Sequence, residues 1–208
     1  MAELSLTGYR YSVYSRVVRM GWHEMGLSAD WVEADPFAEP GHAGLSPFGR
    51  VPVLRHGDFT LYETSAIMLY LNGISGASLV PIEPRALARM QQVIGIVDAY
   101  GYRCLVRQVF SQAVFNPAFD EPADPAEINA GLKAARPVLT ALEAIAQEGL
   151  QLGDRLSLAD LHLAPMIACF DMAPPGRDML SAHPFLTAWF RRIEQRSSFR
   201  ATRPPAPF

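Results

Sequence analysis

Pro52 is the residue that most limits how this chain can fold. It lies in an apolar run, Val51-Pro52-Val53-Leu54, that otherwise reads as a strand. Proline has no N–H for a β-ladder and is confined to sheet edges, strand starts and bulges. Backbone is therefore left exposed at Pro52. An X-Pro bond takes the cis form at modest cost, and a cis bond turns the N–H and C=O of the preceding residue outward, where an extended peptide can pair with them as an added strand. Eleven residues after Pro52, Glu63-Thr64 opens an apolar-periodic run in which Ile67, Met68 and Leu71 share one helical face. This sets a carboxylate, a hydroxyl and open backbone N–H groups at one helix N-terminus. Its dipole attracts a carboxylate, while Glu63 can pair with an ammonium. Each half alone also reads as something plainer: a Pro-interrupted edge strand with a hairpin at His56-Gly57-Asp58, and a capped helix. At this spacing, the two together describe a holder for a small peptide.

The order of elements around that pair is regular. Leu4, Leu6 and Gly8 mark a first strand, Tyr14 to Met25 a helix ended by Gly26, and Trp31 to Ala34 a second strand. A Pro- and Gly-rich stretch from Pro36 to Gly49 follows. Then come strands at Val51 to Leu54 and Phe59 to Tyr62 and a helix from Thr64. A βαβ unit followed by ββα is the order of a thioredoxin-like domain. We expect that α/β domain at 1–73, a linker at 74–83 and an all-α domain at 84–208. In the second domain Leu87, Met90, Ile94 and Val97 follow helical spacing. Asn116-Pro117 and Glu121 to Pro125 should break the chain before a long helix from Ile128 to Glu148 that Pro137 can kink. Ser157-Leu158-Ala159-Asp160 is a capping box with Leu156 and Leu161 as its hydrophobic staple, and it serves the fold rather than chemistry. The last expected helix, Phe185 to Gln195, turns Trp189 and Phe190 inward and Arg191 and Arg192 outward.

Composition excludes several classes of function. A net charge of −3 without basic clusters argues against nucleic acid as the main partner. No apolar run is long enough to span a bilayer, and the N-terminus has no signal-peptide layout, so a cytoplasmic protein is expected. Cys104 and Cys169 form neither a CxxC nor a cluster with histidine. Disulfide scaffolds, thioredoxin-type redox chemistry and metal sites are therefore not expected.

With Ser12-Val13-Tyr14-Ser15-Arg16-Val17-Val18-Arg19-Met20 after the first strand, Arg50-Val51-Pro52-Val53-Leu54, Glu63-Thr64 with Ala66-Ile67, and the Ser157 to Asp160 box, the chain resembles a bacterial-like, serine-type glutathione transferase over nearly its whole length. The resemblance implies glutathione as co-substrate, a small hydrophobic electrophile as its partner, and a homodimer. It also implies a thiol-activating hydroxyl just before the first helix, the place of Ser12. Other classes use a tyrosine at the strand end, which leaves Tyr9 as an alternative, and Ser15 stands at the second position of what would be a CxxC. Val13 replaces the proline of cysteine-type relatives, and Thr64 replaces the usual serine while keeping the hydroxyl. Arg50 falls where relatives often carry lysine, suited to the glycine carboxylate. His42 is a weaker candidate from the Gly-rich loop. Asp98 matches an acidic position that, in several classes, reaches the γ-glutamyl amine of the ligand held by the partner subunit. Tyr14, Tyr100, Arg103, Arg107 and Phe110 are candidates for the electrophile's wall, although the helical ones also read as an ordinary half-buried helix. A glutathione-dependent isomerase, dehalogenase or peroxidase, or a non-catalytic binding module, stays open on the same scaffold.

Overall fold

A computed structural model describes residues 3–37 and 46–207. The chain divides into two units, residues 1–79 with 197–205, and residues 80–196 with 206–208.

The first unit is built on a four-stranded sheet in the order β2-β1-β3-β4. Strand β1 (Leu4–Gly8) pairs parallel with β2 (Asp30–Glu33) and antiparallel with β3 (Val53–His56), which pairs antiparallel with β4 (Phe59–Tyr62). Leu6 faces Leu54 across the β1–β3 ladder, and both are fully buried. Alternation of side chains about the pleat puts that pair on the core side. Helix α1 (Val13–Glu24) adds Val17, Val18 and Met20 to the same core. Helix α2 (Thr64–Ser75) adds Ile67, Met68 and Leu71, the face its periodicity predicts.

The ladder of β3 begins at Val53 rather than at Val51, because Pro52 has no hydrogen to donate and pairing starts after it. Helix α2 runs through Ser75 and ends on Gly76 at φ 72°. The polar residues near its end fold back instead of breaking it: Ser75 Oγ donates to the Asn72 carbonyl and Asn72 Oδ1 accepts from Leu79 N–H.

The second unit is helical. Glu83 caps α3 (Pro84–Ile96), accepting from Arg85 N–H and Ala86 N–H. The helix then passes into a π-helical segment, Val97–Phe115, and a short α4, Asn116–Ala118. Pro117 does not interrupt here: the helical backbone runs on without a break from the π segment through Ala118. The chain turns only after Phe119, with Asp120 at φ 60°.

Helix α5 (Pro125–Glu148) holds Pro137 in its interior, is capped by Asp124, and ends on Gly149 at φ 79°. It packs tightly on the π segment: a Cβ at Gly131 would lie 2.7 Å from the Gln108 side chain. Helix α6 (Leu158–Met172) is buried from Leu158 to Phe170, the mark of a helix inside its unit. Ser157 and Asp160 form the expected capping box, and Asp160 Oδ1 also accepts from Trp189 Nε1–H at 2.7 Å. Helices α7 (Pro174–Ser181) and α8 (Pro184–Glu194) complete the unit, with Trp189 and Phe190 buried and Arg191 and Arg192 facing out.

The sequence reading did not foresee α9 (Ser197–Ala201), which belongs to the first unit. Arg16 on α1 donates from Nη2 to the Phe199 carbonyl at 3.1 Å, and its guanidinium lies 4.3 Å above the Phe199 ring. Ser198 donates to Glu24.

Candidate functional site

The peptide-facing features of the first unit converge at the ends of β3 and α2. The Val51–Pro52 bond is cis. Pro52 is buried and Val51 half-buried, and the pairing of β3 begins at Val53, so the Val51 backbone lies outside the ladder. Two elements further on, Glu63 occupies the N-cap of α2 at φ 69° and ψ 116°. A non-glycine residue there costs on the order of 1–3 kcal/mol, and such strain gathers where a site needs it. The Glu63 side chain is exposed and does not cap the helix, and among the described residues no side chain accepts from the N–H groups of the first turn of α2. A ligand carboxylate would meet those N–H groups, and a ligand ammonium the Glu63 carboxylate. Thr64 is buried, at 7 % exposure. Arg50 is exposed, with no hydrogen-bond or ionic partner among the described residues. His42 lies outside the described residues.

Three hydroxyls compete at the start of α1, and the structure treats them differently. Ser12 is the N-cap, and its Oγ accepts from Ser15 N–H at 3.2 Å. It is half-exposed, and its own proton has no acceptor among the described residues. Ser15 is 1 % exposed, and its Oγ accepts from Tyr9 N–H at 3.3 Å. Gly8 makes room for this arrangement, because a Cβ there would stand 2.8 Å from Ser15 Oγ and 2.5 Å from the Trp31 ring. Tyr9 packs edge-on to Tyr11 and Phe37. Burial, then the charges of Asp35, Tyr11 and Glu33, push the Tyr9 phenol above its ordinary range, so it stays protonated. Ser12 is thus a hydroxyl whose acceptor side is engaged by the backbone and whose donor side is open. Tyr14 follows two residues on, half-buried on α1.

In the second unit, Asp98 opens the π segment with its side chain 40 % exposed, and its Oδ1 lies 3.0 Å from Nε2 of His162. Tyr100 and Arg103 border an apolar cavity of about 530 Å³ between the π segment and α5, together with Ile96, Cys104, Pro137 and Val138. Arg107 is exposed and does not line this cavity. Phe110 is buried beside Phe115, at 6.3 Å between ring centroids, and does not line it either. Burial pushes the Cys104 thiol up to about 11, which removes it as a nucleophile at neutral pH. Among the described residues no group of three or more His, Cys, Asp or Glu side chains could hold a metal ion. No described helix is long and apolar enough to cross a membrane.

Sequence reasoning passed over His162. The available signal was a histidine between Leu161 and Leu163 in an apolar helix, because a buried imidazole needs a polar partner. Spacing along the chain could not say which one.

Two family models match the chain: the glutathione S-transferase N-terminal domain over residues 6–78 and the glutathione S-transferase C-terminal domain over residues 125–192. Glutathione S-transferase 1 of Zea mays is 31% identical over 160 residues, covering 76% of this chain and 74% of its own. Glutathione S-transferase 3 of the same plant is 29% identical over 212 residues, covering 97% and 94%. A solved structure of glutathione S-transferase I bound with the ligand lactoylglutathione superposes with a TM-score of 0.83 at 27% identity, over 97% of this chain and 98% of that one. Together with a thioredoxin-like sheet that carries the cis proline and a second unit of helices, these matches show that the chain belongs to the glutathione S-transferase family and is a transferase acting with glutathione.

Proposed function

We propose that this enzyme activates the thiol of glutathione through Ser12 and transfers the sulfur to a small hydrophobic electrophile. The observation that carries the reading is the Ser12 hydroxyl itself, half-exposed at the α1 N-terminus with its proton uncommitted among the described residues. A thiol with a pKa of about 8.5 is only a few per cent ionised at neutral pH. A hydroxyl donor and a helix N-terminus beside the sulfur both favour the anion. The thiol proton leaves to solvent, and the thiolate attacks an electrophilic carbon. The new S–C bond forms as the leaving group departs with its electron pair, or as a conjugated double bond takes up the electrons. Ser15 and Tyr9 remain alternatives by position, but Ser15 Oγ is buried and already accepts from Tyr9 N–H.

The rest of the assignment concerns binding. The Val51 backbone beside Pro52 takes the cysteinyl peptide as an added strand. The first-turn N–H groups of α2 with Thr64 hold the γ-glutamyl carboxylate, and Glu63 holds its ammonium. Arg50 takes the glycine carboxylate, with His42 as an assistant. Asp98 approaches the same ammonium from the partner subunit of a homodimer. Tyr14, Tyr100 and Arg103 contribute to the electrophile's wall. The apolar lining around Tyr100 and Arg103 supports a hydrophobic body with an anionic edge, and nothing comparable supports Arg107 or Phe110. We take residues 1–73 as the glutathione-binding domain and 84–208 as the helical one, with α9 near the end of the latter packed into the first unit. A cytoplasmic location is supported by two buried free cysteines. Calorimetry with glutathione, followed by product analysis with a panel of aryl halides and enones, tests the proposal. We expect binding and S-conjugates; the absence of binding at millimolar glutathione would overturn it.

A further inference from the structure

His162 has a feature that its place in the core does not explain. At 1 % exposure on α6, with Leu161 and Leu163 as buried neighbours, it could be replaced by a leucine without loss of packing volume. A buried imidazole is instead kept, and its Nε2 meets Oδ1 of Asp98 at 3.0 Å. A carboxylate oxygen only accepts, so the ring nitrogen that meets it carries the proton: His162 Nε2–H donates and Asp98 Oδ1 accepts. The pair is unequal: the histidine is enclosed, whereas the Asp98 side chain keeps 40 % of its surface exposed. Water would solvate a carboxylate at that position, so Asp98 does not need the bond for its own solvation. The bond instead removes its rotational freedom. The exposed carboxylate is pinned at one oxygen by a rigid, buried donor.

We propose that His162 is a positioning residue for glutathione binding, fixing the Asp98 carboxylate to receive the ammonium of the glutathione held by the partner subunit. This rests on the reading of Asp98 given above. Ordering the carboxylate before the ligand arrives spares that cost at the moment of binding, so the effect belongs in KM and not in kcat.

The experiment compares H162L, H162Q, H162N, D98N and the H162L/D98N double variant. Each is assayed with glutathione and with a des-amino analogue that lacks the γ-glutamyl ammonium. Loss of one hydrogen bond to a partly exposed charge corresponds to about a five-fold rise in KM for glutathione in H162L, with kcat unchanged and no change in KM for the analogue. H162Q, whose amide nitrogen reaches the position of Nε2, recovers most of the loss. H162N is too short and does not. In the D98N background H162L adds nothing further. Equal losses for glutathione and the analogue, a fall in kcat in place of a rise in KM, or multiplying effects of H162L and D98N would overturn the proposal and leave His162 a core residue. Should H162L fail to fold, the contrast between H162Q and H162N decides the matter by the same readouts. If D98N itself leaves KM for glutathione unchanged, the reading of Asp98 falls. If D98N raises KM and the His162 variants do not, only the positioning role falls.

Discussion

Replacing Ser12 with alanine removes two interactions at once, and they can be measured separately. The first is the N-cap of α1, where Ser12 Oγ accepts from Ser15 N–H at 3.2 Å. Loss of such a cap costs about 1 kcal/mol, which for a chain of this size lowers Tm by about 3 °C. The second is the donor proposed for the glutathione sulfur. A hydrogen bond to a charged group contributes about 2 kcal/mol, and each pKa unit corresponds to about 1.4 kcal/mol, so Ser12 should hold the bound thiol near 7 instead of its free value of about 8.5. At pH 7 that is about half thiolate in the wild type and about 3 % in S12A. Turnover should fall about fifteen-fold if thiolate attack limits the rate. Ultraviolet thiolate absorbance of the glutathione complex, titrated from pH 5 to pH 10, reads the pKa directly, while a melt reads the cap. S15A is the matched control. It removes the acceptor of Tyr9 N–H and lowers Tm, but Ser15 is 1 % exposed and should leave the thiol pKa in place. An S12A complex with an unshifted thiol, or an S15A complex with a raised one, would refute the assignment of Ser12.

Glu63→Gly should separate stability from binding at a single residue. It relieves a non-glycine residue at φ 69° and should stabilise the fold by about 1 kcal/mol, while raising KM for glutathione about ten-fold through loss of the carboxylate. A variant that is both less stable and undiminished in affinity would refute both roles. Asp160 offers a test by pH. Burial pushes its carboxyl above the ordinary range despite the hydrogen bonds from Trp189 and Ser157. A carboxyl whose pKa is raised by folding contributes most below its unfolded value of about 3.9, and that contribution is lost as pH rises through the folded value. The stability of the wild type relative to D160N, from denaturant melts, should therefore decline from pH 4 toward neutrality; a rise would contradict the direction. D160A should cost about 3 kcal/mol near pH 4 and less toward neutrality, since it strands Trp189 Nε1–H and Ser157 N–H inside the unit while the wild type loses stability as Asp160 ionises.

Signals contained within a few residues carried most of what the sequence determined about this protein. The capping box from Ser157 to Asp160, the break in the ladder at Pro52 and the α2 face of Ile67, Met68 and Leu71 all follow from local backbone rules, and the structure bears them out. The element order then supplied the thioredoxin-like sheet, and the motifs in series supplied the family. Boundaries drifted at two places: Asn72 and Ser75 fold back on the end of α2, which runs through Ser75, and the helix from Val97 continues through Pro117 to Ala118. The sequence already put Ser12 ahead of Tyr9 and Ser15, and tertiary structure alone decided how open each hydroxyl is. Whether a hydroxyl is open depends on what distant residues place against it, and Trp31 and Tyr9 close around Ser15 beside the bare backbone of Gly8. It also decided that α9 packs with α1 in the first unit, and that His162 grips Asp98 from 64 residues away. Caps, turns and periodicity act over one or two turns of chain and are legible in it, whereas burial and hydrogen-bond partnership between remote segments come into being only when the core closes.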